Sequence, residues 1–191
     1  MKFDNNASMV GFIGDYKSVE EVVAVDTKEL EEIEGSFEAI AGRMEELIDF
    51  AEQNKGPSYD EWSPLMDKLM ENFVEKYGPN WAKNPEAWEL YGIERNKIMA
   101  RFSQSRFDNR VAVTNYMTTK GFQGCPFGGC NALTWNEEIT IFNYQTCKSL
   151  VINRGTGHLA RDHHLLERGN QYGISAKEFY EHFMPTTISK K

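Results

Sequence analysis

Cys125 and Cys130 bracket the short run Cys-Pro-Phe-Gly-Gly-Cys, and after 27 intervening residues come His158, His163 and His164. Thiolate sulfur and neutral imidazole nitrogen are the donors tetrahedral zinc prefers, and two thiols followed by two imidazoles is the ligand order of many zinc sites. The spacing predicts zinc held by Cys125, Cys130 and two further donors drawn from His158, His163, His164 and Cys147. Pro126 with Gly128 and Gly129 gives the backbone freedom that lets a tight turn present both sulfurs to one point. His158 and His163 lie about 140° apart on an ideal helix, so this reading expects a distorted or 3₁₀ first turn there. Asp162 or Glu167 is placed to hydrogen-bond whichever ring nitrogen faces away from the metal. With four protein donors on offer, a closed structural site is favoured over a catalytic one. Cys-x4-Cys alone is a weak signal, because free cysteine often serves only as a small buried hydrophobe. The glycine-rich knuckle and the histidine cluster give it direction.

The same residues admit an enzymatic reading. Gln123-Gly124-Cys125 can be read as an oxyanion donor beside a thiolate nucleophile, with His158 or His163 as its base and a turn of free backbone amides near Lys120 lowering the thiol pKa. That Cys-His hydrolase leaves Cys130 without a role, and no Asn or Asp is identifiable to orient the imidazole. A metal-dependent hydrolase of the nuclease kind is evoked by Arg161-Asp162-His163-His164 followed by Asn170. The general-base histidine of such sites ends a strand, whereas these histidines fall on a predicted helix. No phosphate-binding glycine loop, serine elbow or His-Glu-x-x-His motif occurs.

Positioning these side chains requires a sheet and a helix. Val111 to Met117 alternates with period 2, as does Glu138–Tyr144. Cys147–Asn153 supplies a return strand after the Gln145-Thr146 turn, which makes a three-stranded antiparallel sheet. His158 to Arg168 reads as a helix ended by Gly169-Asn170. Ser175 with Glu178 opens a last helix carrying Phe179, Tyr180 and Phe183, stopped by Pro185. His182, between the two phenylalanines, reads as a boundary residue. Asn115-Tyr116 and Asn143-Tyr144 either line a pocket or form polar sheet faces.

Upstream the period is helical. Thr27 reads as an N-cap for a helix whose Leu30, Ile33, Phe37, Ile40, Met44, Leu47 and Ala51 recur at three and four, with Gly35 marking a kink or break. This seam serves either the chain's own core or a homodimer through Leu30–Ala51. Ser58 and Glu61 cap a second helix ending at Gly78-Pro79. Asn84-Pro85 starts a third, running to about Ser103 with Trp88, Tyr91, Met99 and Phe102 turned inward. Met9–Ile13 and Val22–Val25 read as short strands, and the tail from Thr186 as frayed.

The fold class is therefore α+β. An acidic helical half (residues 1–104) packs on a small antiparallel sheet with a zinc knuckle and C-terminal helices (residues 105–191), in one compact domain. Residues 1–100 carry 10 Lys/Arg against 22 Asp/Glu, while residues 101–191 carry 11 against 7. The mildly basic second half is the expected contact for an acidic macromolecule, although its charge is too thin for a dense phosphate-binding stripe. Three cysteines, no long apolar run and no secretory pattern point to a reducing, cytoplasmic setting. The reading that results is a zinc-stabilised binding or adaptor module, with a Cys-His or metal-dependent hydrolase as the alternative.

Overall fold

The structure is a computed structural model describing residues 13, 15–16, 18–54, 56–127, 129–130, 135–168 and 173–185, with backbone only for residues 119–123 and 135–136. Among these residues it is an α+β protein. Six α-helices accompany a three-stranded antiparallel sheet of order β1-β2-β3. The strands are β1 (Val111–Gln123), β2 (Trp135–Asn143) and β3 (Lys148–Ile152).

The first helix, α1 (Val19–Glu32), overturns two expectations. Val22–Val25 is helical, not a strand, and the N-cap is Ser18, whose hydroxyl accepts from Glu21 N at 3.2 Å, not Thr27. Val22, Asp26 and Leu30 form one buried stripe at a spacing of four, and this helical period outweighs the β-propensity of the valines. The chain then breaks, so the long helix read from Thr27 is really two. Glu34 takes φ 53°, and Ser36 caps α2 (Phe37–Gln53) by accepting from Ala39 N. Gly35 is required there, because a Cβ would meet the Tyr180 ring at 2.7 Å. The Tyr180 hydroxyl in turn accepts from Ser36 N at 2.8 Å.

Helix α2 buries Ile40, Ala41, Met44, Leu47, Ile48 and Ala51 against Val111, Val113, Ile139, Ile141 and Ile152 of the sheet. The apolar seam considered for a homodimer is thus occupied by the chain's own core. Helices α3 (Tyr59–Tyr77) and α4 (Pro85–Met99) instead form an aromatic unit around Phe73, Trp81 and Tyr91. Helix α4 stops at Met99, short of Ser103, and a 3₁₀ turn follows at Ser103–Ser105. Trp88, expected inward, is 58% exposed and stacks over Trp81 from outside.

Strand β1 outruns its predicted end at Met117 and delivers the chain directly to Cys125. Helix α5 (Arg154–His163) also begins earlier than expected. Asn153 accepts from Thr156 N while the Thr156 hydroxyl accepts from Asn153 N, a capping box that starts the helix four residues ahead of His158. It ends at His163, because His164 turns left-handed at φ 52°. Gly169-Asn170, the expected stop, lies outside the described residues, as do residues 9–12 of the first predicted strand and the tail from Thr186. Helix α6 (Ala176–Phe183) opens at Ser175 as read, with Glu178 as the capping-box partner.

The charge asymmetry is largely used inside the molecule. Arg154 pairs with Asp49 and Glu52, Arg161 with Glu45, and Arg168 with Asp26 and Glu29, joining the basic second half to the acidic first. Asp26 is fully buried, and its Oδ1 also accepts from Ala176 N at the start of α6. Burial pushes its carboxyl up from the usual range, and the Arg168 guanidinium opposes that.

Candidate metal centre

Strand β1 ends at Gln123, and Cys125 follows after one residue. The knuckle closes by a hydrogen bond from Cys130 N to Phe127 O at 3.1 Å, with Gly129 at φ 82°, a conformation that favours glycine. Facing it is the last part of α5. The Cys125 sulfur lies 3.2 Å from His163 Nε2, and the Cys130 sulfur 3.3 Å from His158 Nε2. All four donor atoms fall within 4.8 Å of one another. Tetrahedral bonds of about 2.0–2.3 Å imply donor separations of about 3.3–3.8 Å, so both Cys–His pairs already stand near the edge length of such a tetrahedron. The group can hold a metal ion.

The neighbours fix the rings. Phe127, 2% exposed at the centre of the knuckle, stacks on His163 at 4.0 Å with 12° between planes. His158 Nδ1 is 2.6 Å from the Asp162 carboxylate, one helical turn on. That contact sets the tautomer that leaves Nε2 free to face the thiols, the arrangement expected of a metal-ligating imidazole. Asp162 therefore has the orienting position anticipated for it or Glu167. The expected distortion of the first helical turn is absent. The five-residue step is accommodated because His163 is the final residue of α5, and the two rings meet at 5.0 Å, nearly perpendicular.

The electrostatics without a cation are unfavourable for the Cys125 thiolate. The Cys125 thiol is pushed up to about 11, first by burial and further by Cys130 and Asp162, against the opposing Phe127 N–H. His163 is held below its ordinary value, first by burial and then by His158, which keeps its ring neutral. A divalent cation at the centre would reverse the cost of the first and suit the second.

The other residues read as possible ligands sit elsewhere. His164 stacks flat on Phe37 at 4.8 Å. Cys147, at the left-handed end of the β2–β3 turn, packs with Ala100, Ala112 and Phe142. Neither belongs to the four-residue group. The side chains of Lys120 and Gln123, and all of Asn170, which the enzymatic readings used, lie outside the described residues. Sequence reasoning missed Phe127 as the ring that orients His163. An aromatic residue midway between two candidate thiols was the available signal.

No family model, curated protein or solved structure matches this chain.

Proposed function

We propose that Cys125, Cys130, His158 and His163 bind one zinc ion in a closed, structural site, and that the unit so held is a binding module for another macromolecule. The observation that carries the zinc assignment is the pairing of each sulfur with one imidazole at 3.2 and 3.3 Å, with Asp162 behind His158. Two thiols and two imidazoles are the donor set that structural zinc selects, and no position need stay open for a substrate. Among the described residues, the buried apolar side chains around the ligands are Ile13, Val22, Phe127, Leu159 and Leu165, a small cluster to whose cohesion an ion would add.

The surface bears on the partner. Three of the six arginines in residues 101–191, Arg154, Arg161 and Arg168, pair with carboxylates of the first half, which removes part of the charge that an acidic partner would meet. Met70 and Val74, one turn apart, are exposed together on α3, and this is the surface the protein would offer a partner.

The Cys-His hydrolase reading has one observation in its favour, the Cys125–His163 contact. Against it, the thiol is raised rather than lowered, and Cys130 with His158 repeats the same pair beside it. Chelation and alkylation separate the two. The module predicts that metal-loaded protein resists iodoacetamide near neutral pH and loosens when the metal is withdrawn. A cysteine that alkylates rapidly while the fold survives would favour the hydrolase.

A further inference from the structure

A second site lies among α3, α4, β1 and the 3₁₀ turn at Ser103–Ser105. It is a cleft of about 470 Å³, lined by none of the four metal-site residues. It is built by an irregularity. The β1–β2 ladder slips by one residue between Val113 and Asn115, leaving Thr114 as the extra residue of a bulge. A regular strand sends alternate residues to opposite faces, whereas here Val113, Thr114, Asn115 and Tyr116 all line one cleft.

The walls divide by chemistry. Trp62, Met66, Tyr91 and Met99 supply a flat, polarisable apolar surface of the kind that grips planar ligands. Arg95, half-buried in the same wall, pairs with no carboxylate among the described residues. Ser105, 1% exposed, has a buried hydroxyl with no hydrogen-bond partner. A buried hydroxyl left unbonded is costly, and an unpaired guanidinium in an aromatic slot is a ready fork for a carboxylate. The Tyr116 phenol, pushed up first by burial, remains a donor at the rim.

We infer that this cleft binds a small aryl carboxylate, its ring held between Trp62 and the methionines and its anionic head on Arg95. A monoanion fits better than a phosphate dianion. Arg95 is the one cation among the described lining residues, the exposed Asp67 carboxylate lines the same cleft, and the first hundred residues are strongly acidic. Volume agrees, since cavities of about 300–1,000 Å³ accept ligands of this size. The inference stands on residues outside the metal centre and survives if that reading fails.

The test titrates the isotope-labelled full chain, as purified, with indole-3-acetate and separately with the neutral indole-3-acetamide, following backbone amides. The expected result is saturable shifts at residues 113–116, 95 and 105, with the acid binding about tenfold tighter than the amide, a difference of about 1.4 kcal/mol. In Arg95→Gln that preference should vanish while the apolar contribution persists. Equal binding of acid and amide by the unaltered protein would overturn the inference, and so would shifts absent from the cleft at about 1 mM ligand. The acid–amide comparison needs no variant, so a folding defect in Arg95→Gln does not obscure the outcome.

Discussion

The body of the protein and the corner that carries the Cys/His group differ in what surrounds their side chains among the described residues. In the body, α2 lays Ile40, Met44, Leu47 and Ile48 on a sheet face of Val111, Ile139, Ile141 and Ile152, all 0–1% exposed. At the corner, five buried apolar residues among those described surround two thiols and two imidazoles. The first is an ordinary close-packed core that needs nothing further. In the second, α5 packs on α2 through Ala160 and so places the two histidines. The knuckle that carries the two cysteines buries only Phe127 among its described residues, yet all four donor atoms lie within 4.8 Å of one another. On the proposed reading a structural ion accounts for that convergence, with the body folding by burial and the knuckle by coordination.

The largest expected effect separates these two regions outright. Withdrawing the metal should remove hydrogen-exchange protection from Leu159 to Leu165 and from the knuckle, while amides in the paired segment Val111–Val113 with Ile141–Asn143 stay protected. Structural zinc is worth about 10 kcal/mol or more to the region it organises, so the contrast should be plain; uniform loss across both regions would break the comparison. Next comes Ile141→Ala, which leaves a cavity in the body and should cost about 2–5 kcal/mol of global stability by denaturant titration, with metal retained. Asp162→Asn should weaken metal affinity about 10–100-fold in a chelator competition without altering the apoprotein's unfolding midpoint. The smallest effect concerns Glu178, which the Lys148 ammonium and the Ser175 N–H hold below the usual carboxylate range. Its folded pKa is depressed, so its contribution is present above about pH 4.5 and fades as pH falls through the folded value. Because both partners are nearly half exposed, Glu178→Gln should change stability at pH 6 by only a few tenths of a kcal/mol, and by less at pH 3.

What could be read from the chain divides along the same line. The sheet order, the α2 stripe and the capping boxes at Ser58 and Ser175 follow from local period and local hydrogen bonding, and both are visible in sequence. So was the ligand spacing. The choice among the donors was not. It depended on Asn153 and Thr156 starting α5 early, so that the helix ends at His163, and on His164 turning left-handed and stacking on Phe37. Val22–Val25 misled because β-branched residues occupy a helix whose burial is decided by distant partners, Phe127 and Leu159. The cleft was legible only as the pair Asn115-Tyr116, because a bulge at Thr114 exists only once β2 is in register. Asn143, its suspected counterpart, instead accepts from Gln145 N and Thr146 N and shapes the β2–β3 turn.

Metal content by elemental analysis, made on the purified chain and on single variants, reaches the central assignment most directly. The protein should carry one zinc ion per chain, Cys147→Ser should keep it, and Cys125→Ser, Cys130→Ser, His158→Ala and His163→Ala should each carry far less. A metal-free wild type, or full loading in any of those last four, would contradict the assignment.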